Sequence, residues 1–390
     1  MADPTPTPTS NAETTPSPDP RDNLRIYLEA NNPTLTRLNA LRKTGWQNPT
    51  LSHTFSTHRL LSTSPTSSTK DTFYHMMLSI GLAMHTRTWL FAALARRPNT
   101  DTPPSPPAIL DLGMAPGGFS GAALAKHPDV LIRGVSLPVS AGGHEIRIPA
   151  WETNPNISIR FADVTMLAAD MDISPFEIPA SHPDHGKFLH ERVFPSETFD
   201  IVFCGAQVSR DQTRAAYREG REHFRLRTSQ LVLAMQRLRQ GGSLVVLLGR
   251  ADSWETAVFL RGIDAFSKSL ELFKGEGAHA KRSTFYAVAQ GVDVEGEAAR
   301  AQVEAWKAWW RVCTLGSEQE CEEMWRVGEE EVEELIEGFG RRLLHLAAPV
   351  WKTQADALGR VLEKDEVSGI EKGWRGKGGR GAWRRKNGWV

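Results

Sequence analysis

The feature that most constrains this chain is the stretch ILDLGMAPGGFS, residues 109–120. Apolar Ala108, Ile109 and Leu110 run into an acid, Asp111, and then Gly113, Gly117 and Gly118 fall within six residues. A turn without side chains lets backbone approach a ligand that a Cβ would repel. In a parallel α/β sheet, such turns sit at the carboxyl ends of the strands, where ligands bind.

The rest of the pattern predicts that sheet. Strands are expected at 108–112, 131–137, 157–161, 199–204, 243–248 and 283–290, and helices at 118–126, 212–239 and 253–269. Apolar strands separated by helices imply a mostly parallel sheet covered on both faces. The helix over 212–239 carries Arg237 and Arg239 in its last turn, with Gly241 as its C′ residue. Residues 164–198, rich in Pro and His, read as a long loop or insertion. The organisation expected is a disordered tail at 1–20, a helical region with a linker at 21–104, and the α/β domain at 105–292. A helical appendage at 293–360 and a basic Gly/Trp/Arg tail at 361–390 complete it. The acids of the appendage fall on an outer face, and Trp306, Trp309 and Leu335 dock it.

Composition bounds the function. Lys plus Arg and Asp plus Glu both number 46, so net charge predicts no partner. Three cysteines without a CxxC pair suggest reduced thiols and an intracellular place, nuclear or cytoplasmic. The Ser/Thr-rich stretch 33–70 has the composition of a mitochondrial transit peptide but lies deep in the chain, so that location stays open. No apolar run approaches the roughly 18–20 residues of a membrane span, and the first twenty residues lack the marks of a signal peptide. His182, His185 and His190 beside Asp184 read as a solvated loop, with no metal expected. Cys204 reads as a buried structural thiol.

Three ligands can be weighed for the turn. A phosphate loop needs GxxxxGK followed by Ser or Thr, and none follows Gly118. A dinucleotide fingerprint needs a glycine where Ala115 stands, which argues against an NAD-type oxidoreductase. The third is S-adenosylmethionine, a cation without phosphate, for which a carboxylate at Asp111 would be electrostatically useful.

The motif closely resembles that of the FtsJ-type (RrmJ-like) RNA 2′-O-methyltransferases, with their aspartate, Leu-Gly and Pro-Gly-Gly followed by an aromatic residue. Later stretches are similar in order: RGVSLP (133–138), RFADVTM (160–166), FDIVFC (199–204), RQGGSLVVLL (239–248) and AKRSTFYAVAQG (280–291). The resemblance covers about residues 105–291. It implies a Rossmann-like, seven-stranded methyltransferase sheet with helices on both faces, to which the sequence pattern adds helical N- and C-terminal extensions. It also implies S-adenosylmethionine as cofactor and RNA ribose 2′-hydroxyls as substrate. It carries cofactor contact to Asp111, Gly113, Ala115, Pro116, Gly117, Gly118 and Phe119, and places Asp163 against the adenine.

The family's Lys-Asp-Lys-Glu set does not carry over. Its positions fall on Gly205, Leu247 and Thr284, and between residues 71 and 107 the cations are Arg87, Arg96 and Arg97. Ser136 stands where an acid is expected after the second strand. Arg250 is the candidate substitute in catalysis; it can hold a phosphate but never becomes a base. Two readings compete: a diverged methyltransferase that works by positioning, and an inactive scaffold that binds S-adenosylmethionine or RNA. In the tail, Arg375, Lys377, Arg380, Arg384 and Arg385 alternate with glycine and tryptophan, a composition suited to single-stranded RNA.

Overall fold

The computed structural model describes residues 19–47, 67–95, 106–208, 212–277 and 279–375, with backbone alone for 67–68 and 364–375. Seven strands form one sheet: β1 (Ala108–Leu112), β2 (Leu131–Ser136), β3 (Ile157–Phe161), β4 (Phe199–Cys204), β5 (Leu238–Gly249), β6 (Ser267–Phe273) and β7 (Thr284–Val292). Their order is β3-β2-β1-β4-β5-β7-β6. β1 pairs in parallel with β2 and β4, β2 with β3, and β4 with β5, while β7 runs antiparallel to both β5 and β6. The strand order therefore reverses between β1 and β4, which is where a ligand crevice belongs. The result is a Rossmann-like, seven-stranded sheet, the architecture the resemblance implies.

Both faces are covered, because side chains alternate along buried strands. Ile109, Ile201, Phe203 and Val245 point to one face. There they meet α3 (Ser67–Thr88) and α4 (Gly118–Lys126). Leu110, Leu112, Val202, Leu244 and Val246 point to the other. That side is packed by α5 (Glu222–Arg237), α6 (Trp254–Ala265), α7 (Glu297–Leu315) and α10 (Arg341–Arg375). Helices α1 (Arg21–Asn31) and α2 (Pro33–Gln47) join this second face through Leu24, Leu28, Leu35 and Leu38. The N-terminal helices thus divide between the two sides of the sheet. Two short helices, α8 (Glu318–Trp325) and α9 (Glu329–Leu335), lie between α7 and α10. Their glutamates point outward, while Trp306 and Leu335 are fully buried and Trp309 packs against the core.

Three sequence expectations need correction. β6 lies where the sequence predicts a helix end: SKSLELF, at the sheet edge, exposes Lys268, Ser269 and Glu271 and follows α6 with no breaker, so it reads as helix tail. The helix expected over 212–239 starts only at Glu222, after a loop and a short 3-10 turn. Gly241 is not a helix C′ residue; it has φ +76° inside β5, where pairing with β4 shifts register. The expected loop 164–198 contains three 3-10 turns and no strand among its residues. Arg96, Arg97 and the 1–18 segment lie outside the described residues, as do Lys377, Arg380, Arg384 and Arg385. Arg375 ends the last helix. No helix among the described residues is long and apolar enough to cross a membrane.

Helix α4 sits close to α3 because Gly118 has no side chain. A Cβ there would lie 2.4 Å from Met77 Cβ and 2.6 Å from the Leu78 nitrogen. Gly118→Ala is expected to lower stability by about 1–3 kcal/mol through overpacking, read as a lower denaturant midpoint with an unchanged slope.

Candidate functional site

The turn after β1 is held from three sides. The Gly113 and Met114 amides both donate to the Val135 carbonyl, at 2.8 and 3.1 Å. Gly113 has φ +76°, and a Cβ on it would lie 2.3 Å from Ala206 Cα. Ala115 and Pro116 follow, joined by a cis peptide bond. Phe119, on the first turn of α4, stacks on Phe203 at 5.3 Å and meets the Tyr286 ring edge-on at 5.4 Å. This packing leaves a cavity of about 340 Å³ beyond the ends of β1, β2 and β4. That volume lies in the range of small-molecule sites.

Of the residues singled out in the sequence, Gly113, Ala115, Pro116, Phe119 and Asp163 line this cavity. So do Ser136, Gly205, Leu247 and Tyr286. Asp111 does not. Its carboxyl is buried behind the turn and accepts a hydrogen bond from Ser120 Oγ at 2.7 Å, so it tethers α4 instead of meeting a ligand. Gly117 and Gly118 also stand off the cavity. Gly117 has φ +98° and faces Ile148, where a Cβ would lie 2.6 Å away, and Gly118 faces α3. Arg250 is displaced as well: its guanidinium pairs with buried Asp252 at 2.9 Å, and Arg42 holds that carboxylate from the other side at 3.0 Å. Cys204 is buried, its Sγ 3.6 Å from the Gln230 carbonyl, and burial pushes its thiol far above the ordinary range. His182 serves structure, bonding the Thr314 carbonyl at 3.0 Å.

Asp163 is the most elaborately held residue of the wall. Thr165 donates to Oδ1 from its amide at 2.9 Å and its hydroxyl at 2.7 Å. Gln212 and Arg218 donate to Oδ2 at 2.7 and 2.9 Å. Burial pushes this carboxyl up, but the Arg218 charge and the Thr165 bonds outweigh it and hold it below the usual 3.8. Arg218 is itself 1% exposed and also pairs with Glu222, which Arg225 holds at 2.7 Å.

Several positions at or behind the cavity escape sequence reasoning. Lys70 lines the cavity and pairs with Glu145 at 2.7 Å. It lies one residue ahead of the apolar stretch that begins at 71, and a helix start at Ser67 is the signal that would have found it. Arg87 sits at the far end of the same helix, about 25 Å along its axis at 1.5 Å per residue. Lys274 donates to the carbonyls of His279, Arg282 and Thr284 at 3.1, 2.6 and 2.6 Å. It thereby fixes the loop that brings His279 and exposed Arg282 to the cavity. Burial, with the charge of Arg42, pushes Lys274 down to about 7. Burial, with Arg282 and Lys274, pushes His279 down to about 4, so its imidazole is neutral at pH 7.

Burial pushes Asp111 up from 3.8 to about 7, against the Ser120 hydrogen bonds. The folded protein then holds a proton that the unfolded chain releases, so Asp111's contribution to stability falls as pH rises from about 4 to about 7. Asp111→Asn is expected to remove that slope and to gain on the wild type at pH 8, measured as the difference between their unfolding free energies across this window.

A family model described as FtsJ-like methyltransferase matches residues 93–292, 200 of the 390 residues. A search of curated proteins gave no match. Among solved structures, one similar chain is described as a ribosomal RNA methyltransferase, a provisional assignment, from Plasmodium falciparum. It is 14% identical, with a TM-score of 0.34, covering 54% of this chain and 93% of the other. Human methyltransferase-like protein 13, crystallised with SAH, is 13% identical at TM-score 0.31 (60% and 92% covered). An rRNA methylase from Streptococcus thermophilus is 11% identical at TM-score 0.31 (53% and 95% covered). Likenesses this remote describe no chemistry of the present chain.

Proposed function

The chain belongs to the FtsJ-like methyltransferase family, whose members depend on S-adenosylmethionine, and from that premise we propose that it methylates RNA ribose 2′-hydroxyls. We assign cofactor binding to the cavity between the β1 turn and Asp163. The donor set fits: Asp163 is an anionic acceptor suited to an adenine amine, Ser136 offers a hydroxyl to a ribose, and Gly113 and Ala115 leave backbone within reach. When bound, the cofactor supplies an activated methyl group on sulfur.

The chain's own residues then do the positioning. Phe119, Tyr286 and Leu247 give the cavity apolar walls that exclude water. Lys70 brings an ammonium to the same cavity and can hold a phosphate or polarise a hydroxyl. Holding two reactants in line supplies several kcal/mol of barrier lowering without a strong base. The single observation that carries this reading is one cavity that joins the glycine turn, Asp163 and Lys70. The cations of the tail, from Arg375 through Lys377, Arg380, Arg384 and Arg385, extend the proposed RNA contact. Three free, buried cysteines fit an intracellular setting.

A second reading rests on Gly205 and Leu247, which line the cavity without any group able to take a proton. It makes the protein a scaffold that binds S-adenosylmethionine or RNA without turnover. Incubation of the full chain with radiolabelled S-adenosylmethionine and total cellular RNA separates the two. Transfer is expected, and Lys70→Ala is expected to reduce it by about ten- to a hundredfold while cofactor affinity stays within about threefold. Saturable cofactor binding without transfer to any RNA would establish the scaffold; no cofactor binding would refute both.

A further inference from the structure

The wall around Asp163 contains a rival to any ligand that would use it. An ionised carboxylate offers about four lone-pair directions. Four donors already fill them: the Thr165 amide and hydroxyl on Oδ1, and Gln212 and Arg218 on Oδ2. Only the nitrogen end of the Gln212 amide can face such an acceptor, so Gln212 is a donor here.

The four are not equally replaceable. Thr165 is 1% exposed and sits two residues along the chain, its hydroxyl also accepting from Arg218 at 2.9 Å. Arg218 is 1% exposed and shared among Asp163, Glu222 and Asp184. Removing it would leave buried carboxylates unpaired, which is strongly unfavourable. Gln212 is neutral, half-buried, and lies outside any helix or strand. Among the described residues its side chain has no other hydrogen bond than that to Asp163.

We propose that Gln212 is a built-in competitor for the exocyclic amine of an adenine nucleoside, occupying the Asp163 oxygen that the amine needs. This rests on the reading that the cavity takes S-adenosylmethionine with its adenine at Asp163. A ligand bearing the amine must evict Gln212, whereas a ligand lacking it can bind beside the intact pair. Gln212 therefore lowers affinity selectively for amine-bearing nucleosides and keeps the Asp163 carboxylate satisfied when the cavity holds none.

The test is isothermal titration of the full chain with two probes: S-adenosylhomocysteine and its 6-deamino analogue, which carries purine in place of adenine. Gln212→Ala is expected to bind S-adenosylhomocysteine about three- to tenfold more tightly than the wild type, the worth of one net hydrogen bond. The deamino analogue is expected to bind both proteins equally. Gln212→Met, which keeps the length and loses the donor, must reproduce the gain, so that altered folding of one variant does not decide the matter. If the wild type binds S-adenosylhomocysteine and neither variant binds it more tightly, the competitor role fails and the cofactor reading stands. Equal gains for both probes also overturn it, because the amine then plays no part. A wild type that binds neither probe removes the cofactor reading, and this inference with it.

Discussion

The cavity depends on one close approach: the turn leaving β1 passes the chain leaving β4 with no room for a Cβ at Gly113. The two strands are neighbours at the point where the sheet order reverses, so their exits diverge over opposite faces. Each glycine of the motif serves a different contact. Gly113 meets the backbone at Ala206, Gly117 meets Ile148 in the loop after β2, and Gly118 meets the backbone of α3. Those same three segments supply part of the cavity wall. Asp111 contributes from behind: its bond to Ser120 fixes the first turn of α4 and hence Phe119 on the cavity floor.

The second organising element is electrostatic. Arg218 is a buried charge, and buried charges persist only when well paired. It is paired by Asp163, Glu222 and Asp184, and Glu222 in turn by Arg225. Arg225 reaches α7 through Thr314 Oγ at 2.9 Å, and Trp310 of α7 donates to the Thr165 carbonyl at 3.1 Å. The C-terminal helices therefore back the wall that presents Asp163. They complete the site from outside the residues that match the family.

Local pattern was legible and distant pairing was not. Strands β1 and β4 announce themselves as apolar runs because both of their faces are buried, β2, β5 and β7 do so in part, and edge strand β3 is legible from its alternating Ile157, Ile159 and Phe161. β6 stays hidden because its exposed, polar start, Ser267 to Ser269, continues α6 with no turn residue between them. The glycine motif points to the cavity, yet its acid, which the motif suggests for the ligand, turns inward to Ser120. A sequence does not reveal which way a strand residue points when both directions are apolar. Counting along β5 leads to Leu247, and Arg250, the candidate substitute three residues on, has a left-handed backbone (φ 49°) and pairs with Asp252. Arg218 and Gln212 lie 55 and 49 residues beyond Asp163, and no spacing rule brings them together.

What the cavity lacks bears on how it works. At the ends of β4 and β5, where proton handling would be expected, stand Gly205 and Leu247. The carboxylates that line it are committed elsewhere, while His144 and Arg282 also border it. Glu222 is bound to two arginines, Glu145 to Lys70, and Asp163 to Arg218. His279 is neutral at pH 7, but with a value near 4 it is a poor base. On the reading proposed above, such a cavity holds and orients its ligands. A sulfonium already carries the activation that a transferable methyl needs, so on that reading geometry is the chain's resource, and the loop pinned by Lys274 supports it.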